Sequence, residues 1–228
     1  MSIIYAGDLH GDLSAIEKID QLANKSNAKA IVQVGDFGCR WLPNVDEYFT
    51  TRTSQVPWYT CGGNHDNYDN WEASPKVAPN LTELLPNVYW AARGTCHNID
   101  GIKHLFLGGA VSTDKHRRTA GVDWWPQEEP TNQELQMFCD ALDNEMPDVV
   151  VTHDGPQDIV TNVLGLDWGS NLARDLQNIN NISSHRPTFW AFGHYHKLMQ
   201  VGYYHKLIQA NLETTYACCG LHGEVVQR

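Results

Sequence analysis

Short apolar runs of strand length alternate along this chain with amphipathic segments. The first run, IIYAG at 3–7, is followed by apolar residues at helical spacing from about 13 to 24, with Asp12 as a candidate N-cap. Strands that alternate with helices predict an α/β domain built in layers. The other runs that predict buried strands lie at 28–35, 56–63, 147–153 and 188–194.

Two more helices and a strand-rich stretch complete the predicted domain. A helix is predicted over 131–145, where Thr131 and Glu134 have the spacing of a capping box, and another over 170–182. The stretch 87–110 predicts successive strands joined at an Asp-Gly pair, which is a hairpin signal. The later strands indicate a second sheet, antiparallel in part. No linker interrupts the pattern, so we expect one domain over all 228 residues.

Composition and charge exclude several classes of protein. The formal charge of −11 argues against non-specific binding to nucleic acid. The N-terminal residues lack the basic and apolar regions of a signal peptide, and no apolar run approaches the roughly 18 residues of a membrane span. Six cysteines occur without C-x-x-C spacing, which favours a reducing, cytoplasmic location.

Five of the predicted strands end in side chains that can bind metal ions. In open α/β sheets, ligands bind in the crevice beyond the carboxyl ends of the strands, so these side chains are expected to converge. Carboxylates, an amide and imidazoles together suit manganese, iron, zinc or nickel better than calcium or magnesium, which prefer oxygen alone. Manganese is the expected metal. The residues concerned are Asp8 and His10 after the first strand, Asp36 after the second, Asn64, His65 and Asp66 after the third, His153 after the fourth, and His194 and His196 after the fifth.

Each of these residues also has an ordinary structural explanation. Asp8 or Asp36, coming after a glycine, could start a turn. Asn64 could occupy a left-handed turn, and His153 could be a hydrogen-bonded histidine at the end of a strand. The repetition of the same construction at five strand ends is what favours a metal site.

The motifs at these strand ends resemble those of the calcineurin-like metallophosphoesterases. They are GDLHG at 7–11, GD at 35–36, GNHD at 63–66, TH at 152–153 and GHYH at 193–196. The resemblance implies an α/β sandwich of two mixed β-sheets flanked by helices, with two divalent metals at one edge. It assigns Asp8, His10 and His196 to one metal and Asn64, His153 and His194 to the other, with Asp36 as the bridge. The two histidines of GHYH are expected to lie on the same side of an extended chain, one for each metal.

The resemblance also implies a reaction. Two metals about 3.5–4 Å apart activate a water to hydroxide near neutral pH and stabilise the charge of an in-line displacement at phosphorus. In the family, the histidine equivalent to His65 is the general acid, and the next carboxylate, here Asp66, orients it. Asp66 could instead only cap the following turn.

The run GDFGCRW departs from the motif of the phosphoprotein phosphatases. Cys39 stands where they have a second aspartate, whereas Arg40 falls at the offset of their phosphate-binding arginine. Arg40 is therefore a candidate for holding the substrate phosphate, and equally a candidate surface arginine beside Trp41. The ending GNHD, in place of GNHE, also separates this chain from typical protein phosphatases.

The segment 111–130 follows a predicted strand and is expected to overhang the metal site. Its basic residues could contact an anionic substrate, and one of its paired tryptophans could stack on a base. The alternative is a packed surface loop with the tryptophans as its own small core. The candidate substrate-binding residues here are Arg117, Arg118 and Trp124, with Lys115, His116 and Trp125 beside them.

The sequence therefore predicts a two-metal hydrolase of phosphate esters. A phosphatase acting on monoesters, including phosphoproteins, is preferred over a phosphodiesterase of nucleotides, cyclic nucleotides or nucleic acid. The expected partner is a phosphorylated small molecule, a nucleotide or a phosphoprotein, and no membrane. A non-catalytic scaffold of the same fold is the third alternative, and the presence of His65 and all seven ligand positions argues against it.

Overall fold

A computed structural model describes residues 3–167, 169–201, 214–222 and 224–227. Two mixed β-sheets pack face to face, and helices cover their outer faces. The predicted fold, an α/β sandwich of two mixed sheets flanked by helices, is confirmed. No helix among the described residues combines the length and apolar character that crossing a membrane requires.

The helices and strands are numbered here in chain order. The helices are α1 (Leu13–Ser26), α2 (Pro43–Thr51), α3 (Tyr68–Glu72), α4 (Asn132–Asn144), α5 (Gln157–Asn162) and α6 (Asn171–Ile182). The strands are β1 (Ile3–Ala6), β2 (Ala30–Gln33), β3 (Trp58–Thr60), β4 (Lys76–Ala78), β5 (Leu81–Leu85), β6 (Val88–Ala91), β7 (Thr95–Ile99), β8 (Ile102–Leu107), β9 (Val149–Thr152), β10 (Phe189–Phe192), β11 (Met199–Val201), β12 (Thr215–Cys218) and β13 (Val225–Gln227).

The strands that carry the motifs lie in the parallel centres of both sheets. The order of the first sheet is β13-β1-β2-β3-β6-β5-β4, and β1, β2, β3 and β6 pair in parallel. The order of the second is β11-β12-β10-β9-β8-β7, and β8, β9, β10 and β12 pair in parallel. Parallel pairing brings the carboxyl ends of neighbouring strands to one edge of each sheet.

Central strands are buried on both faces because each sheet packs against the other sheet and against helices. Successive side chains along a strand point to opposite faces. In the first sheet, Tyr5 and Val32 therefore face the second sheet, whereas Ile4 and Ile31 face α1 and α2. In the second sheet, Val151 faces inward and Val150 packs under the helical layer formed by α4, α5 and α6.

Most predicted elements are present with bounds shifted by a few residues. The Asp12 side chain accepts a hydrogen bond from the backbone N–H of Ala15 at 3.1 Å, so it caps α1 as predicted. The capping box of Thr131 and Glu134 at α4 is also confirmed. The hairpin at Asp100–Gly101 joins β7 and β8, with positive φ at both turn residues.

Several short elements were not predicted. Helix α2 begins with Pro43 and has no side-chain cap, so it lacks the usual start signal apart from the proline. Strand β4 is exposed along its length, so burial produces no alternating pattern. The predicted short strands of the tail are present as β11 and β12, and the prediction for 202–213 lies outside the described residues.

Candidate metal centre

The metal-ligand candidates converge because the strands before them end at one edge of the sandwich. Asp8 follows β1, Asp36 follows β2 and Asn64 follows β3, all in the first sheet. His153 follows β9 directly, and the GHYH motif follows β10, both in the second sheet. Contacts between the two groups of side chains join the sheets at this edge.

The first cluster contains Asp8, His10 and His196, with Asp36 beside it. His196 Nε2 lies 3.3 Å from Asp8 Oδ2 and 3.2 Å from His10 Nε2. His10 Nε2 lies 3.7 Å from Asp36 Oδ2. Asp8 and Asp36 are buried, and His196 is the exposed member at the rim.

The second cluster contains Asn64, His153 and His194, again with Asp36. His153 Nε2 lies 3.0 Å from Asn64 Oδ1 and 3.4 Å from Asp36 Oδ2. His194 Nδ1 lies 3.1 Å from Asn64 Oδ1. One carboxylate oxygen of Asp36 therefore faces both clusters, which is the position that a bridging ligand requires.

The donor atoms fit divalent metals of the predicted type. Nitrogen and oxygen ligands lie about 2.0–2.2 Å from such a metal, so two ligands of one metal are about 3 Å apart. The separations of 3.0–3.4 Å in both clusters match this spacing. In addition, Asp8 Oδ2 is buried and has no partner of good hydrogen-bond geometry among the described residues, and His196 Nε2 lies 3.3 Å away, as expected of two ligands of one cation.

Four of the candidate ligands adopt a left-handed backbone conformation that is uncommon outside glycine. The φ angles are 46° for His10, 58° for Asp36, 65° for His194 and 53° for His196. The prediction of an extended GHYH chain is therefore wrong. Strand β10 ends at Phe192, and tight turning of the following residues aims both imidazoles at the centre. Strained conformations of this kind concentrate at functional sites.

Glycines before the ligands have a steric role as well as ending strands. A Cβ atom on Gly63 would overlap Asp36 Oδ1, and a Cβ atom on Gly193 would overlap Asp8 Oδ1. The motifs GNHD and GHYH thus place glycine where a carboxylate of another motif must approach. Ending a strand is therefore not the whole reason for glycine at these two positions.

A contact with the backbone holds the ring of His153 in the second cluster. His153 Nδ1 lies 2.8 Å from the carbonyl oxygen of Val34, which can only accept, so Nδ1 carries a proton and donates it. The other nitrogen, Nε2, faces Asn64 and Asp36. This contact fixes the ring in the orientation that a metal ligand needs.

The electrostatic field at the centre favours a cation. Burial alone would lower the pKa of His153, but the carboxylates of Asp36 and Asp8 raise it to about 10. Burial would raise the pKa of Asp36, yet His153, with smaller contributions from His65 and His10, holds it well below its usual range. The negative charge of Asp36 and Asp8 thus favours the protonated form of His153. A divalent metal can compensate the same negative charge.

His65 lies at the mouth of the centre, where it lines the cleft beside Asn64. Its backbone N–H donates to Asp36 Oδ1 at 2.7 Å, and its ring packs edge-on against that of His10. Burial lowers the pKa of His65 to about 4, and the Arg118 guanidinium contributes to this against the opposing effect of Asp36. The ring is therefore neutral at pH 7 before an anionic substrate arrives.

Asp66 does not orient His65 by direct contact, so that expectation is corrected. Both of its carboxylate oxygens accept two backbone N–H groups each, from Asp36 at 3.0 Å, Phe37 at 2.9 Å, Gly38 at 3.0 Å and Gly63 at 2.8 Å. The buried carboxylate therefore fixes the turn that carries Asp36. Its expected alternative, a cap of the following turn, is not observed either, because Asn67 caps α3.

The segment 111–130 reaches the centre through one of its arginines. A cleft of about 400 Å³ is lined by Asp36, Asn64, His65, Thr113, Asp114, Arg118, His194 and His196. Arg118 Nη2 lies 3.1 Å from His65 Nε2 and 2.8 Å from Asp114 Oδ1. Arg117 is exposed and outside this lining, so the structure brings only one of the two predicted arginines to the site.

The two tryptophans of this segment pack within the protein. Trp125 is buried, and its indole N–H donates to Asp69 Oδ2 at 3.0 Å while its ring meets Trp41 edge-on. Trp124 is half-buried, lies beside Glu128 and does not line the cleft. Trp125 therefore packs against residues outside the segment, and the stacking of Trp124 on substrate stays a prediction.

Arg40 also lies away from the metal centre. It lines a different cleft of about 430 Å³, together with residues that include Pro75 and Leu84. Its backbone has φ of 59°, and its N–H donates to Asp46 Oδ1 at 2.6 Å. The spacing from Asp36 matched a phosphate-binding arginine, but the left-handed turn at Arg40 directs the chain elsewhere. The expectation that Arg40 holds phosphate is corrected.

Sequence reasoning missed a group of polar residues behind the ligands. Asp154 directly follows His153, is fully buried, and accepts hydrogen bonds from the hydroxyls of Tyr195 and Ser170. Tyr195 stands between the two histidines of GHYH, so Asp154 connects the two motifs of the second sheet. The sequence signal that could have indicated this contact was Tyr195, a tyrosine inside a motif of candidate ligands. Ser112 and Glu128 form a similar contact behind Asn64.

Comparisons with solved structures agree with this fold. A crystal structure of a putative 5'-nucleotidase from Staphylococcus aureus, in complex with alpha-ketoglutarate, matches with a TM-score of 0.54 and 14% identity, over 99% of this chain and 50% of that chain. Another crystal structure matches with a TM-score of 0.51 and 13% identity, over 99% of this chain and 93% of that one. At these identities the likeness shows the fold alone. No curated protein matches in sequence.

A comparison with family models gives a match over most of the chain. The model for the calcineurin-like phosphoesterases matches residues 1–198, a range that contains all five strand-end motifs. The ligand candidates, the mixed sandwich and the position of the centre at the strand ends are consistent with that match. The chain belongs to the calcineurin-like phosphoesterase family.

Proposed function

We propose that this metal-dependent phosphoester hydrolase cleaves phosphate monoesters at a centre of two divalent metals. The observation that carries the proposal is the position of Asp36 Oδ2, 3.7 Å from His10 Nε2 in one ligand cluster and 3.4 Å from His153 Nε2 in the other. Asp8, His10 and His196 complete the first set. Asn64, His153 and His194 complete the second.

When bound, two such metals supply an activated water and neutralise charge that develops on the phosphoryl oxygens. Manganese is the proposed metal, because the donor set mixes carboxylate, amide and imidazole, and iron, zinc or nickel are the alternatives. The protein's own residues place the phosphate. Asp36 accepts the His65 N–H, which keeps that imidazole above the centre. His65 is the proposed general acid for the leaving alkoxide.

Protonation of His65 depends on substrate in this proposal. The ring is neutral at pH 7 in the free protein, since burial lowers its pKa to about 4. A phosphate dianion in the cleft would engage Arg118, which now contacts both ring nitrogens at 3.3 and 3.1 Å. Withdrawal of that cation and arrival of an anion both favour the imidazolium form, and hence proton donation.

Monoesters are preferred because the residues that line the cleft include Arg118 and not Trp124. Arg118 lines the cleft and can form charge-assisted hydrogen bonds to terminal phosphoryl oxygens, of which a monoester has more than a diester. Trp124, which would have favoured nucleotide bases, is not among the residues that line the cleft. The proposed substrate is a phosphorylated small molecule, a nucleotide monoester or a phosphoprotein side chain, in a reducing compartment.

Two chromogenic substrates test the monoester proposal directly. With the manganese-loaded protein, we expect kcat/KM for p-nitrophenyl phosphate to exceed that for bis-p-nitrophenyl phosphate by at least about tenfold, which corresponds to one charge-assisted contact of about 1.4 kcal/mol or more. Faster turnover of the bis-ester would favour the phosphodiesterase alternative. The absence of turnover of either substrate, with both metals bound, would favour a non-catalytic member of the family.

Adjacent arginines allow a matched test of substrate binding. Arg118→Ala is expected to lower kcat/KM for p-nitrophenyl phosphate by about 10–100-fold, because charge-assisted hydrogen bonds contribute about 1.5–3 kcal/mol. Arg117→Ala removes the same charge from an exposed position and should stay within about twofold of the parent protein, as surface changes usually do. Metal content should be unchanged in both. Equal losses of kcat/KM in the two variants would show that Arg118 acts only through the charge that it adds to the surface, and not by contacting the phosphate.

A further inference from the structure

A buried chain of hydrogen bonds leads from the candidate ligand Asn64 into the segment 111–130. Asn64 Nδ2 lies 3.0 Å from Ser112 Oγ, and Ser112 Oγ lies 2.9 Å from Glu128 Oε2. The backbone N–H of Ser112 donates to the other oxygen, Glu128 Oε1, at 3.0 Å. All three residues are at least 96% buried, with exposures of 4%, 3% and 1%.

The direction of each hydrogen bond in this chain follows from chemistry. An ionised carboxylate can only accept, so the Ser112 hydroxyl donates its single proton to Glu128. That leaves the hydroxyl oxygen free only to accept, and the group facing it on Asn64 must be the NH₂. Asn64 Oδ1 is then turned the other way, towards His153 Nε2 at 3.0 Å and His194 Nδ1 at 3.1 Å.

We propose that Glu128, acting through Ser112, is a positioning residue that holds the carbonyl oxygen of Asn64 towards the second metal. An asparagine amide has two ends of nearly equal shape, and only the oxygen end can bind a metal. Without a polar partner behind it, Asn64 could present its NH₂ group instead. This inference rests on the two-metal centre of the proposed function, and it adds a residue that no strand-end motif contains.

The surroundings of Glu128 support a role for its charge. It forms no salt bridge with any described residue, although a buried carboxylate is costly without a partner. Its backbone is anchored, because its N–H donates to Trp125 at 3.0 Å and Arg93 Nη2 reaches its carbonyl at 3.4 Å. Oε1 accepts the Ser112 N–H and Oε2 accepts the Ser112 hydroxyl, so a side chain that makes both contacts needs an acceptor atom at each of these two positions. Glutamine offers one acceptor and one donor.

Glu128→Gln should therefore reverse the chain of hydrogen bonds. If the introduced amide oxygen takes the Ser112 N–H, its NH₂ group donates to the Ser112 hydroxyl, whose proton then points at Asn64. Asn64 must then accept this hydrogen bond through its oxygen, which turns its NH₂ group towards the second metal. Isothermal titration of metal-free protein with Mn²⁺ should show the first site unchanged and the second weakened by about 10–100-fold, the usual loss for a partner behind a ligand.

The neighbouring glutamate provides a matched control. Glu129→Gln removes the same charge from a position that is 39% exposed and paired with Lys115 on the surface. Its second-site affinity for Mn²⁺ should match that of the parent protein. Thermal melting of the metal-free proteins checks that both variants are folded. If Glu128→Gln does not fold, Ser112→Ala, which removes the acceptor for the Asn64 NH₂ group, should show the same selective loss at the second site.

A rescue variant separates positioning from general damage. Asn64→Asp alone sets a carboxylate oxygen against the Ser112 oxygen, so it should weaken the second site. Combined with Glu128→Gln, it should recover, because the reversed hydroxyl proton now donates to the introduced carboxylate. The two changes are thus expected to be strongly non-additive, which a double-mutant cycle on Mn²⁺ affinity measures.

Additive losses in that cycle, or equal second-site affinity in Glu128→Gln and Glu129→Gln, would overturn the proposed positioning role. A parent protein with one Mn²⁺ site would also overturn it. These readouts use metal binding and need no turnover. If the parent binds two Mn²⁺ ions and hydrolyses no phosphate ester, the proposed function fails while the positioning role is still decided by the titrations.

Discussion

Asp36→Asn is expected to empty both metal sites at once, with loss of hydrolysis by at least about 10³-fold through the loss of metal catalysis. The reason lies in the two oxygens of Asp36. Oδ1 accepts the His65 N–H at 2.7 Å, so the amide oxygen of the variant will occupy that position. The NH₂ group then replaces Oδ2, the oxygen that faces His10 and His153. A group that cannot bind metal would stand between both ligand sets.

Elemental analysis after manganese reconstitution measures this effect. Asp46→Asn is the control, since Asp46 accepts a backbone N–H from Arg40 and lies outside the cleft. It should retain two metals per chain. Retention of both metals by Asp36→Asn would contradict the bridging position, and loss of one metal only would assign Asp36 to a single site.

His65→Ala should separate proton donation from metal binding. We expect both metals to remain, because His65 contributes a backbone contact to Asp36 and its ring is not part of either ligand cluster. The rate with a poor leaving group should fall by about 10²–10⁴-fold, the usual contribution of a general acid. The backbone N–H that Asp36 accepts is retained in the variant, so the bridging carboxylate keeps its orientation.

A series of aryl and alkyl phosphates tests the role of His65 as the acid. The rate loss should be small for p-nitrophenyl phosphate, whose leaving group needs no proton, and large for an alkyl phosphate. A uniform loss across leaving groups would remove His65 from that role. Loss of metal in His65→Ala would instead show that the ring supports the centre structurally.

The convergence of the candidate ligands could be predicted from sequence because each candidate lies within a few residues of a strand end. Burial of the strands and the glycines after them mark the edge of the sheets, and residue type then indicates the chemistry. The turning of the GHYH chain could not be predicted, since left-handed φ, as at His194 and His196, is uncommon for residues other than glycine. Short exposed elements such as β4 were missed for a related reason, because they bury too little to leave a pattern.

Roles that depend on contacts between distant segments were predicted poorly. Arg40 had the right spacing from Asp36, yet a left-handed turn takes it into another cleft. The carboxylate of Asp66 was expected beside its sequence neighbour His65 and instead holds the backbone turn 28–30 residues earlier. The contact of Asn64 with Ser112 spans 48 residues, and that of Ser112 with Glu128 spans 16. Side-chain partners at such separations are fixed only by the assembled fold.

The most direct test of the two-metal phosphoesterase is titration of metal-free protein with Mn²⁺ while hydrolysis of p-nitrophenyl phosphate is followed. Two ligand clusters that share Asp36 predict two bound metals per chain, with the hydrolysis rate rising until the second is bound. Chelation should abolish the activity, and addition of Mn²⁺ should restore it. Hydrolysis by the metal-free protein, or full activity with a single bound metal, would contradict the two-metal account.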